Sequence, residues 1–107
     1  MGVLTRIRDL KVGMNNVDVV GRVGSKSATM EVYSRFGNKV NRVANAIVVD
    51  DTGSIKLILW NEQIDCVHIG DTVQISNGHV TFFRGDTQLN VGKRTGKLSV
   101  LKATPKS

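Results

Sequence analysis

The chain has 107 residues, 40% hydrophobic and 22% charged, which is the composition of a globular protein and the length of one domain with one core. Fifteen Lys and Arg stand against nine acids, a formal charge of +6, which favours anionic partners, nucleic acid ahead of a membrane surface. No apolar run approaches the roughly 18 residues of a membrane helix. The N-terminus has no secretory signal pattern, and a single cysteine, Cys66, excludes an internal disulfide and fits a reducing cytosol.

Helical spacing is scarce. "IRDLKVGM" puts Ile7, Leu10 and Met14 at helical intervals, and Gly13 interrupts them, which predicts one short turn packed on the end of a sheet. "VDVVGRVGSKS" predicts the first strand, with Gly21 and Gly24 as bend or bulge points. "EVYSR" and "RVANAIVVDD" flank "FGNKVN", a hairpin with its turn at Gly37-Asn38. Asp51 to Gly53 predicts a tight turn, and the next strand, "SIKLILW", ends at Trp60. "NEQIDCVHIG" predicts a second short helix or an ordered loop, a plug over the core carried by Ile64 and Val67, with Ile69 as a third candidate. "GDTVQISNGHVTFFRGDTQLNV" reads as two strands joined at Arg84 to Asp86, and "GKLSVL" closes the set. "KATPKS" reads as a frayed tail.

About five main strands, glycine at the bends and almost no helix suit an all-β, five-stranded Greek-key barrel of the oligonucleotide-binding type (OB-fold) with one or two short helical turns. An SH3-like barrel or a small sandwich fits the same pattern. The expected domain is residues 1–102, with 103–107 as a flexible tail.

Alternation divides the faces. Ile55, Leu57 and Leu59 form a purely aliphatic set and are expected in the core. Lys56, Ile58 and Trp60 share the other face, expected to be exposed because an unpaired lysine is costly to bury. Leu89 and Val91 point in, and Gln88 and Asn90 point out. Val73 and Ile75 are core by composition. Strict alternation from there buries His79, Thr81 and Phe83. One inserted residue at Asn77-Gly78 reverses the parity, buries Val80 and Phe82, and leaves His79, Thr81 and Phe83 outside. The reversed pattern is preferred because it keeps Val80 dry and His79 and Thr81 wet.

An exposed phenyl ring beside Arg84 points to single-stranded nucleic acid, whose unpaired bases stack on flat side chains while its phosphates follow a cationic track. Trp60, Phe83 and His79 are the candidate platforms. Lys56, Arg84, Lys93, Arg94, Arg35, Lys39 and Arg42 are the candidate track, and Gln88 and Asn90 offer polar groups to base edges. Catalysis finds little support, and no cofactor is expected. Cys66 and His68 lack the further ligands of a zinc site, leaving Cys66 to be read as a small buried thiol. The serines lack histidine–acid partners. "GRVGS" lacks the lysine and spacing of a phosphate-binding loop, and Asp50-Asp51 reads as part of a turn.

"AIVVDDTGSIKLILW", "IGDTVQISNG" and "FRGDTQLNVG" together resemble the OB domain of archaeal single-stranded DNA-binding proteins of the simple crenarchaeal type, with their single-domain human relatives and replication protein A. The resemblance covers Leu10 to Leu101. It implies stacking at Trp60 and Phe83, and a third aromatic position that falls here on His79, a smaller and titratable ring. The human relatives carry another aromatic where this chain has Asn90. The resemblance also implies the bulge at Asn77-Gly78, and a flexible C-terminal tail, absent from this chain, that recruits replication and repair proteins.

The expected function is non-enzymatic, largely sequence-independent binding of single-stranded DNA in replication, repair or recombination, by a cytoplasmic, nucleoid-associated protein with no cofactor, no metal and no membrane partner. Single-stranded RNA is a second ligand class. The alternatives are an OB-fold protein-interaction subunit and an RNA-binding module.

Overall fold

A computed structural model describes residues 4–33, 39–91 and 96–101. A 3-10 turn at Ile7–Asp9 is followed by β1 (Val17–Lys26), β2 (Met30–Tyr33), β3 (Val40–Val49) and β4 (Ser54–Trp60). After α1 (Glu62–Cys66) come β5 (Thr72–Phe83), β6 (Asp86–Val91) and β7 (Lys97–Leu101). The strand order is β1-β3-β4-β6-β5-β7, with β2 on β3, and β1 also pairs with β5, so five strands close on themselves. β2 and β7 extend this ring on β3 and β5. The expected five main strands make the ring, and the two segments beyond it are those read from "EVYSR" and "GKLSVL". The β4–β6 pairing is parallel and all the others are antiparallel.

The core is aliphatic. One row across the barrel, Ala46, Leu57, Leu89 and Val80, is paired in register and wholly buried. Val19, Val23, Val48, Val73 and Ile75 fill the rest, and Ile7, Ile64 and Val67 close it. The predicted turn at Ile7 and the plug on α1 both hold. Ile69 does not join them and is exposed, because Gly70, at φ +96°, turns the chain away from the core there. Cys66, expected to be buried, is exposed, because it lies two residues on from the buried Ile64 and so on the opposite face of α1.

Two glycines answer to steric demand. A Cβ on Gly21 would run into Val48 and stand 3.0 Å from the Val49 carbonyl oxygen, so this position is a close approach of β1 to β3. The β1–β3 register slips between Val23 and Ser25, which makes Gly24 the bulge.

The bulge expected at Asn77-Gly78 is present. Val19 pairs with Ile75 and Val17 with Gly78, so β5 advances three residues while β1 advances two. Asn77 takes φ +54°, a conformation that asparagine tolerates better than most residues. Its N–H donates to Asp18 Oδ1 at 3.0 Å. Gly78 is buried, and a Cβ there would stand 3.0 Å from both the Asn90 carbonyl oxygen and Ile75 Cγ2. Beyond the bulge Val80 is buried, as the reversed parity requires.

Phe82 shares the inward parity of Val80 but is 60% exposed, which corrects its expected place in the core. The reason is the reach of β1. Its pairing with β5 ends at Gly78, and past it only Gly13 and Met14 meet Val80, through Gly13 N–H to Val80 O and Val80 N–H to Met14 O, both 2.9 Å. Phe82 lies further along, with β6 as its one paired neighbour, through Thr87.

The turn before β4 is organised by Asp50. Its Oδ1 accepts from the Thr52 N–H (2.7 Å), the Thr52 hydroxyl (2.6 Å) and the Gly53 N–H (3.0 Å). Its Oδ2 accepts from the Ile7 N–H at 2.9 Å, which ties the N-terminal 3-10 turn to the sheet. Partial burial pushes the carboxyl up, but the hydrogen bonds from Thr52, Ile7 and Gly53 outweigh it and hold the group below the usual aspartate range.

Two stability predictions follow from this packing. Asp50→Ala should cost about 1–3 kcal/mol, since it strands several N–H donors. Because the folded value is depressed, Asp50's contribution is full above the unfolded aspartate value of about 3.9 and is lost as pH falls through the folded one. Acid melts should therefore separate wild type from Asp50→Ala least at the acid end. Phe82→Ala should melt within about 0.5 kcal/mol of wild type, whereas Leu89→Ala, which opens a core cavity, should cost about 2–5 kcal/mol. Thermal unfolding of the two variants side by side checks this.

Candidate nucleic-acid interface

Residues directly opposite one another in a sheet share a face, so the register lays out the outer surface row by row. At one end Met30, Val43 and Trp60 are paired. Next come Asn45, Ile58, Asn90 and His79, then Ile47, Lys56, Gln88 and Thr81. The last row is Asp86 and Phe83, beside the β5–β6 turn. Trp60, His79, Phe83, Lys56, Gln88 and Asn90 therefore share one continuous face. The parity reversal at Asn77 is what brings His79 and Phe83 onto it.

Trp60 and Phe83 stand at the two ends of this face, 41% and 56% exposed. Between them the floor is partly apolar. Ile58, expected to be exposed with Lys56 and Trp60, is 8% exposed and lies outside the main core cluster, because Asn45 and Asn90 flank it across the sheet. Asn90 Nδ2 donates to Thr81 Oγ1 at 2.8 Å, so its amide is already oriented. Gln63, on α1, accepts from the Trp60 N–H at 3.0 Å and fixes the end of β4.

The β5–β6 turn has two central residues, Arg84 (φ +51°) and Gly85 (φ +83°), both left-handed, as a type I′ hairpin requires. Glycine suits such a turn; arginine does not, because its Cβ makes left-handed backbone costly. Here the Arg84 guanidinium lies 5.2 Å from the centre of the Phe83 ring, within cation–π range.

The cations are unevenly placed. Lys56 Nζ donates to Asp86 Oδ2 at 2.9 Å. Lys39 is exposed at the approach to β3. Arg42 does not join the face: it alternates with Val43 on the side of α1, where its Nη2 meets Asp65 Oδ2 at 3.0 Å. That hydrogen bond and the opposite charge raise the Arg42 guanidinium further above its ordinary value and hold Asp65 below the usual carboxylate range. Arg35, Lys93 and Arg94 lie outside the described residues. Lys26, which had no sequence signal, donates through Nζ to the carbonyl oxygens of Ile64 and Val67 and pins α1 to β1. Asp86, Asn45 and Ile47 were also missed, and Thr81, read as outside with His79 and Phe83, was assigned no role. The alternation of "RVANAIVV" carried the signal for Asn45 and Ile47.

Among the described residues, no three His, Cys, Asp or Glu side chains are grouped to hold a metal, and no helix is long and apolar enough to cross a membrane.

The family model for "Single-stranded DNA binding protein Ssb-like, OB fold" matches residues 5–100. The chain belongs to this Ssb-like OB-fold family. It is 36% identical to the single-stranded DNA binding protein Ssb of Saccharolobus solfataricus over 90 residues, 84% of this chain and 60% of that one. Replication factor A of Methanothermobacter thermautotrophicus is 30% identical over 93 residues, 86% of this chain and 12% of the relative. This Ssb-like chain thus spans less than two thirds of either curated relative. In structure it resembles a replication factor A related protein from Methanobacterium thermoautotrophicum, with a TM-score of 0.74 and 27% identity, covering 92% of this chain and 91% of the other.

The turn geometry of this Ssb-like domain makes a separable prediction. Arg84→Asn creates the Asn-Gly pair that type I′ turns favour. It should raise stability by about 0.5–1 kcal/mol, since left-handed backbone is costly for arginine, while weakening binding of a nucleic acid. Denaturant midpoints and strand titrations on the same sample check both halves.

Proposed function

We propose that the domain is a non-enzymatic binder of single-stranded DNA, with little sequence preference, acting where strands are exposed in replication, repair or recombination. The observation that carries this reading is the joining of Trp60, His79, Phe83 and Lys56 on one sheet face, with exposed aromatics at both ends and a polar, partly apolar floor between them. Membership of the Ssb-like family supports the same ligand. Exposed rings on a barrel face suit unpaired bases, because every base presents a π-face. Lys56, Arg84 and Lys39 supply charge for phosphates, and Gln88 and Asn90 supply donors and acceptors without fixing a sequence. Arg42 drops out of the proposed contact set, since its guanidinium is engaged with Asp65 away from this face. Single-stranded RNA presents the same two features, and no residue on the face is dedicated to a 2′-hydroxyl.

Trp60 is the sole tryptophan, so its fluorescence reports one end of the face. Pyrimidine-rich single strands should quench it on stacking. Trp60→Ala and Phe83→Ala should each weaken binding by about 1–3 kcal/mol, the range of one base–aromatic stack, and His79→Ala by less. Each phosphate neutralised should add about −0.7 to the slope of log K against log salt. Tight binding with unchanged emission, or a flat salt response, would refute the assignment.

A further inference from the structure

We propose that Asp86 is a specificity-determining residue, which makes the face prefer single strands over other polyanions by holding Lys56 until an unpaired base arrives. The inference rests on the single-strand reading above and deepens it.

The Lys56–Asp86 ion pair is the only one among the described residues that lies on the proposed binding face, and it sits beside the platform. Lys56 Nζ and Asp86 Oδ2 are 2.9 Å apart, with the lysine side chain 27% exposed and the aspartate 55%. Asp86 is directly opposite Phe83 in the last pair of β5 and β6. In such a pair the Cβ atoms stand about 4.5–5.5 Å apart. A base stacked on Phe83 therefore brings its edge to Asp86, while the attached phosphate reaches Lys56.

That geometry sets an exchange rule. A phosphate taking Lys56 alone leaves Asp86 unpaired beside a second negative charge. A single-stranded nucleotide satisfies both partners: its phosphate takes Lys56, and N–H groups on its base edge donate to the Asp86 carboxylate, as aspartate accepts from cytosine N4. A duplex offers phosphates, but its bases are stacked on one another, so none can lie on Phe83 and present its edge to Asp86 while a phosphate takes Lys56, and it supplies only half of the exchange. Neutralising Asp86 should then help the wrong ligand more than the right one.

The test is Asp86→Asn, titrated over a salt series with a single strand and with duplex of the same length, in the wild-type and the Lys56→Gln backgrounds. Freeing one lysine for one more duplex phosphate steepens the slope by about 0.9, which from about 1 M to about 50 mM salt is about a 15-fold gain. The single strand, which already uses Lys56, should gain less than about threefold. Discrimination should fall about fivefold or more in the wild-type background and stay unchanged in Lys56→Gln. Equal gains for both ligands, or the same loss of discrimination without Lys56, would make Asp86 a general repulsive charge and overturn the inference. So would a wild-type protein that shows no preference between the two. A wild-type protein that binds neither ligand overturns the single-strand reading itself, a result visible before any variant is compared.

Discussion

One inserted residue sets the chemistry of the outer face. Without the bulge at Asn77, β5 would continue with the parity of Val73 and Ile75, His79 and Phe83 would point into the barrel, and Val80 would point out. Three local features hold the bulge: a left-handed asparagine, a glycine where a Cβ would be crowded, and an aspartate on β1 that receives the Asn77 N–H. Each is cheap by itself. Together they aim two rings at the same side as Trp60, which reaches that side by simple alternation on β4.

Among the described residues, the charge available to the face is less than the composition implies. The chain carries +6, yet Lys26 is spent on helix carbonyls, Arg42 is paired with Asp65, and Lys56 is paired with Asp86. Net charge thus describes long-range attraction of a polyanion, while the local pairs decide what is ready for contact. Among the described residues, Arg84 is the cation of the face outside any ion pair, and it stands over Phe83 in a backbone conformation arginine disfavours.

The readable parts of the sequence were those governed by short-range rules. Period-two alternation placed Leu57, Leu59, Leu89 and Trp60. Asp50 with Thr52-Gly53 gave a turn because an aspartate can accept from N–H groups two and three residues on. Asn77-Gly78 was legible because both residue types tolerate what a bulge demands. Phe82 was misplaced because its exposure depends on where a different strand stops: β1 lets go of β5 at Gly78, and no local pattern in β5 encodes that. Arg42 and Lys26 were opaque for a similar reason, since their partners lie 23 to 41 residues away. Ile58 was read as exposed because its burial comes from neighbours on β3 and β6 and not from the core.

The parallel pairing of β4 with β6 carries a consequence of its own. It is short, Lys56 to Ile58 against Gln88 to Asn90, and it is the seam between the β3–β4 hairpin, which carries Trp60, and the β5–β6 hairpin, which carries Phe83. Each hairpin forms from residues close in the chain, whereas the seam joins segments some thirty residues apart. A strand lying from one aromatic to the other bridges that seam from outside, like a splint across a joint. If a strand binds along this face as proposed, occupancy of the face and closure of the barrel are linked equilibria: a chain still open along this line has no complete site to offer, and a bound strand would protect the amides of Lys56 to Ile58 and Gln88 to Asn90.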